Sequence, residues 1–127
     1  MKTSKGRCDY TESRDKELRR AFIERLGKNG KMIKEVMAEM VDVPAPRFYI
    51  NEERAYTYVR HLRRSGCPDE IRSPTLRRML AVIVRRVDIL MAFRPELSLR
   101  EAVYEVVNSP APSFFLSPLS IRTMLYA

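Results

Sequence analysis

One histidine, His61, and two cysteines, Cys8 and Cys67, are the whole supply of soft ligands in this chain of 127 residues. A zinc site needs about four ligands at short spacings, and neither cysteine belongs to a CxxC pair. No metal site and no disulfide framework are expected, and the two thiols read as reduced cysteines of a cytoplasmic protein. A single histidine also leaves no Ser/His/Asp set for nucleophilic catalysis. The four glycines, Gly6, Gly27, Gly30 and Gly66, make neither GxGxxG nor a phosphate-binding GK[ST] loop. Glu35/Glu39 and Glu101/Glu105 form two acidic pairs one helical turn apart. Helical-bundle metal sites combine such carboxylates with histidines in an ExxH pattern, which is missing here. These pairs read as solvated faces or as salt bridges to Lys31, Arg47 or Arg100. The expectation is a protein that is not an enzyme, with no catalytic residue, no cofactor and no small-molecule substrate evident.

The basic residues carry more information. The formal net charge is +8 and the pI about 9.9, which favours a polyanionic partner, nucleic acid before an anionic membrane surface. Residues 1–66 hold 16 Lys+Arg against 10 Asp+Glu, and residues 67–127 hold 8 against 6. An anion-binding face therefore belongs mostly to the first half. Arg54, Thr57, Arg60 and Arg64 follow at i, i+3, i+6 and i+10, close to one stripe of a helix, with Arg63 beside them. Arginine can clamp phosphates or read guanine edges. Asn51, together with the free N–H groups of the helix start, can take a phosphate. Arg47 lies just upstream. The expected DNA-binding set is Asn51, Arg54, Thr57, Arg60, Arg63, Arg64 and Arg47.

The elements that must position this stripe are written twice. Val43-Pro44-Ala45-Pro46-Arg47-Phe48-Tyr49-Ile50 returns as Ser109-Pro110-Ala111-Pro112-Ser113-Phe114-Phe115-Leu116, an offset of 66 residues. The register continues upstream. Glu35 and Glu39 match Glu101 and Glu105. Ile33, Val36, Met37, Met40 and Val41 fall on Leu99, Ala102, Val103, Val106 and Val107. A fixed period of this kind takes precedence over local propensity.

Each copy reads as three helices. Residues 1–12 look like a flexible basic arm. Ser13 or Asp15 opens a helix with Leu18, Phe22 and Leu26 on one stripe, and Gly27 or Gly30 stops it. A second helix spans about residues 31–41 and ends before Pro44. Phe48 should plug the groove between helices, as Phe114 should in the second copy. Asn51 caps the third helix, 52–64. Residues 65–69 break the copies apart. A long helix over 74–93 is apolar on more than one side, so it is either more buried than its counterpart in the first copy or packed against another chain. Ser98 and Glu101 form a capping box for a fifth helix. Ser117 and Pro118 are a preferred cap and first-turn pair for a sixth. Nothing alternates with a period of two.

The expected fold is all-α: two tandem three-helix, helix-turn-helix-like units, 13–66 and 67–127, packed together as one domain or two. The Pro-Ala-Pro-x-Phe-Tyr/Phe bend followed by Asn or Ser and a helix resembles a pattern in uncharacterised bacterial and phage proteins of helix-turn-helix type. That resemblance implies the fold and carries no activity. The expected function is DNA binding through the third helix of the first unit, as a regulatory or a phage- or plasmid-associated factor. The alternative is a protein-protein interaction or assembly module, a homo-oligomer through helix 74–93, with the charge serving solubility. No membrane partner is expected: no apolar leader follows Met1, and the stretch from Met79 to Phe93 is broken by Arg85, Arg86 and Asp88.

Overall fold

The computed structural model describes residues 5–29, 32–65 and 71–126, with the side chains of 5–9, 28 and 29 outside the description. Among the described residues there are six α-helices, one short 3-10 turn and no strand. Both cysteines, Gly30 as a candidate helix stop, Lys31 as a candidate salt-bridge partner and most of the expected break at 65–69 lie outside the described side chains and residues.

Helix α1, Lys5–Asn29, starts inside the stretch expected to be an arm and runs through Gly27, one of the two glycines expected as its stop. A glycine inside a helix costs only about 1 kcal/mol relative to alanine. Leu18 is the fully buried member of its stripe, whereas Ile23 is 67% exposed. Helix α2, Ile33–Glu39, tightens into a 3-10 turn at Met40–Asp42. The turn ends where Pro44 forces its predecessor out of the helical region, and Val43 is extended at φ −71°, ψ 129°.

Helix α3, Glu52–Ser65, is capped as expected: Asn51 Oδ1 accepts the Arg54 N–H at 3.0 Å. In α4, Pro74–Phe93, Ser73 Oγ accepts the Leu76 N–H at 3.2 Å, with proline in the first turn. The expected Ser98–Glu101 capping box opens α5, Leu99–Val107, its two bonds 2.9 and 3.1 Å long. Ser117 Oγ accepts the Ser120 N–H at 3.1 Å at the start of α6, Pro118–Tyr126. No helix of the described chain is long and apolar enough to cross a membrane.

Contacts group the chain into two compact units, Met1–Tyr49 with Pro110–Ala127, and Ile50–Ser109. The grouping does not follow the chain order expected from the repeat. Helix α6 packs on α2 and the 3-10 turn, and α3 packs on α4 and α5. The two proline segments lie side by side: Ala45 and Ala111 exchange backbone hydrogen bonds of 3.0 and 2.9 Å in an antiparallel bridge, and each segment bends at the proline that follows, Pro46 and Pro112.

In the first unit the two proline segments pair. Phe48 stacks on Phe115 with ring centroids 6.0 Å apart, and Tyr49 stacks on Phe114 at 5.8 Å. Phe48 is fully buried and Phe114 nearly so. Phe115 holds a left-handed φ of 54°, unusual for a bulky residue. Its N–H donates to Ser113 Oγ at 3.0 Å, which together with the ring stack holds it there. The core of the second unit is aliphatic: Ala55 and Val59 of α3, Leu80, Ile83 and Val87 of α4, Ala102, Val103 and Val107 of α5.

Candidate nucleic-acid interface

Helix α3 buries Ala55 and Val59, four residues apart, against α4 and α5. That choice turns Arg54, Thr57, Arg60, His61 and Arg64 to the opposite, exposed side. The seven residues expected to contact DNA fall into three situations.

Arg54, Arg60 and Arg64 are exposed, and none forms an ion pair with a carboxylate among the described residues. Two of them are held by aromatic rings. The Arg54 guanidinium lies 5.5 Å from the Tyr58 ring centroid and donates to its hydroxyl at 3.3 Å. The Arg60 guanidinium lies 5.5 Å from the Tyr56 ring. A guanidinium over a ring keeps its in-plane N–H groups free for an acceptor, so stacking positions it without neutralising it. Thr57 shares this face, and its hydroxyl donates to the Glu53 carbonyl at 3.0 Å.

Arg63 differs, because it forms an ion pair with Asp88 of α4. Asn51 already gives its side-chain oxygen to the helix cap. Glu52 and Glu53 follow it in the first turn, where their charge disfavours a phosphate. Arg47 belongs to the other compact unit, with its guanidinium 4.4 Å from the Tyr10 ring and its Nε donating to the Phe48 carbonyl at 3.0 Å. The structure thus gathers Arg54, Thr57, Arg60 and Arg64 on one face and assigns Arg63, Asn51 and Arg47 other contacts.

Three residues outside the expected DNA-binding set, Arg100, Tyr56 and Tyr58, adjoin this face. Arg100 of α5 lies over Tyr56 at 4.3 Å and forms an ion pair with Glu53, whose carboxylate also accepts from the Tyr104 hydroxyl. The Arg100 bond first, and the Tyr104 bond second, hold the Glu53 carboxyl below its ordinary pKa. The same bond to Glu53 raises Arg100 and the Tyr104 hydroxyl above theirs. Glu53 is therefore satisfied locally and does not quench Arg54 or Arg60. Tyr56 and Tyr58 had a visible signal. Each stands four residues from an arginine, which places Tyr58 next to Arg54 and Tyr56 next to Arg60 on the helix surface. Arg100 had none, because its partners are 44 and 47 positions away in sequence.

Among the described residues the repeated acidic pairs make the following contacts. Glu35 Oε1 accepts the Met32 N–H at 3.0 Å, and Glu101 performs the same task at Ser98. The second of these bonds lowers the Glu101 pKa. Glu39 pairs with Arg25 at 3.2 Å and Glu105 with Arg94 at 3.1 Å. Among the described residues no group of three or more His, Cys, Asp or Glu side chains converges as a metal site would require.

On α4, Ile89 and Phe93 remain 50% and 82% exposed. They line a groove of about 300 Å³ with Arg86, Leu90, Glu105, Val106 and Ser109. Val82 and Val84, off the main stripe, are half-buried within the chain itself.

No family model, no curated protein and no solved structure matches this chain.

Proposed function

We propose that the protein binds DNA through the exposed face of α3, with Arg54, Arg60 and Arg64 contacting phosphates and Thr57 beside them, in a regulatory or a phage- or plasmid-associated role. The observation that carries this reading is a row of three exposed guanidinium groups free of carboxylate partners among the described residues, two of them aimed by tyrosine rings. The chain's net charge of +8 acts in the same sense at longer range. The test is an electrophoretic mobility shift on random duplex at several salt concentrations. Each phosphate contact contributes about 0.9 to the slope of log affinity against log salt. Replacing all three arginines by alanine should lower that slope by about 2 to 3. An unchanged slope removes α3 from the interface.

We further propose that the architecture is a duplicated helix-turn-helix-like unit in which the third helix of each copy packs on helices of the other, α3 on α4 and α5, and α6 on α2 and its 3-10 turn. The matched caps Asn51 and Ser117 support this reading. So does the symmetric pairing of the two proline segments: Ala45 meets its equivalent Ala111, while Phe48 stacks on Phe115 and Tyr49 on Phe114, each ring crossing to the neighbour of its equivalent. Hydrogen-bonded antiparallel residues stand about 5.5 Å apart at Cα, within disulfide reach. Ala45→Cys with Ala111→Cys, in a chain whose native cysteines are serines, should close an intrachain disulfide on mild oxidation. Persistent free thiols would exclude the pairing.

The exposed Ile89 and Phe93 favour a second reading, a protein-protein contact on α4. Self-association lost in Phe93→Ser, with no duplex binding at any salt, would favour it over the first.

A further inference from the structure

Helices α2 and α6 of the first unit enclose a groove of about 280 Å³, lined by Lys34, Met37, Ala38, Pro118, Arg122 and Tyr126. Met37, Ala38 and Pro118 give it an apolar wall. Lys34 and Arg122 bring two positive charges, and neither has a carboxylate partner among the described residues. The Tyr126 side chain lies at the rim, 66% exposed for the residue as a whole.

The second unit shows what the same positions do when they are satisfied internally. An offset of 66 turns Lys34 into Arg100, Ala38 into Tyr104, Arg122 into Tyr56 and Leu119 into Glu53. There the cation is paired with the Glu53 carboxylate, which also accepts from the Tyr104 hydroxyl, and the guanidinium is covered by the Tyr56 ring. The first unit lacks all three partners. Alanine replaces the tyrosine that binds the carboxylate, arginine replaces the stacking ring, and the carboxylate itself is replaced by Leu119, 70% exposed.

We propose that the α2–α6 groove binds a compact organic carboxylate, its anionic end between Lys34 and Arg122 and its apolar body against Met37, Ala38 and Pro118. The volume lies just below the roughly 300–1,000 Å³ of drug-sized small-molecule sites, which suits a compact ligand. Two cations facing an apolar wall suit an anion with an apolar body better than a bare ion. The proposal does not rest on the DNA-binding reading, since every residue it uses belongs to the other compact unit.

The experiment is a titration of the full chain with benzoate and with hexanoate, followed by amide and methionine-methyl NMR. Inorganic phosphate is titrated in parallel. Saturable shifts centred on Lys34, Met37, Ala38 and Arg122 are expected with both carboxylates. Arg122→Gln and Lys34→Gln should each weaken binding about tenfold, the value of one charge-assisted hydrogen bond. Leu119→Glu places an internal carboxylate where the second unit has Glu53 and should abolish binding while leaving the melting temperature within a few degrees. The proposal is overturned by an absence of saturable shifts, by phosphate binding as tightly as benzoate, or by unchanged affinity in Arg122→Gln.

Discussion

At position 34 of the first unit stands a lysine with no carboxylate partner among the described residues. At the matching position 100 of the second stands an arginine paired with Glu53 and stacked on Tyr56. The apolar positions behind them agree: Val36 with Ala102, Met40 with Val106 and Ile121 with Ala55 are all buried. What differs is the size of the buried side chain on the packing helix and the chemistry of the outer shell. In the second unit the small Ala55 permits α3 to lie against both α4 and α5. In the first, Ile121 fills the equivalent place, and α6 rests on α2 and the 3-10 turn beside an open groove. The contrast teaches that an apolar pattern can be kept while the seam above it is closed by a charged and aromatic network in one case and left open in the other.

The largest effect expected from breaking this contrast comes from exchanging the buried residues. Ile121→Ala removes a side chain that is 1% exposed and should cost about 2–5 kcal/mol in chemical denaturation. The reverse change, Ala55→Ile, should cost about 1–3 kcal/mol through overpacking, because Ala55 is fully buried and three more carbons must be fitted among its neighbours. A near-neutral Ala55→Ile would mean that the close approach of α3 does not depend on a small residue.

A smaller loss is expected from Tyr56→Ala, which takes the ring from under Arg60 and Arg100. Exposed contacts of this kind contribute about 0.5–1 kcal/mol each. In the DNA assay the same variant should weaken binding by loosening Arg60 while leaving the salt slope unchanged, since the charge remains. A lowered slope would show that the ring matters for more than position.

The smallest effect is a pH dependence confined to the second unit. The Glu53 pKa is depressed in the folded chain by Arg100 first and Tyr104 second. A depressed carboxyl contributes stability that is present above its unfolded pKa and lost as pH falls through the folded value. Thermal unfolding followed between neutral pH and the acid side of the carboxylate range should therefore be less acid-sensitive in Glu53→Gln than in the parent. Leu119, at the matching position of the first unit, has nothing to titrate. Parallel curves for parent and variant would show that the Glu53 network adds nothing to stability.

Much of the helical layout was readable in advance because its signals are local. Asn51, Ser98 with Glu101, and Ser117 with Pro118 each mark a helix start through bonds spanning three residues. Pro44 ends α2 through contact with its own neighbour. The start of α1 was misread, because a polar, lysine-rich run lacks the apolar stripe that marks a helix. Gly27 was misread because a preference of about 1 kcal/mol is easily outweighed. The arginine stripe of α3 was legible from its spacing. Which of those arginines stay free was not, since Asp88 reaches Arg63 across 25 residues.

By itself the sequence determined where α3, α5 and α6 begin, which of their faces are apolar, and that a Pro-Ala-Pro-x-Phe segment recurs, because each of these depends on neighbours within a turn or on a literal recurrence. Only the tertiary structure decided that Ala45 meets Ala111, that α3 lies on α4 and α5 while α6 lies on α2, and that one of two matching seams is sealed by Glu53. Those outcomes depend on which apolar surfaces cover one another. Covering is a competition among distant segments that no local spacing encodes.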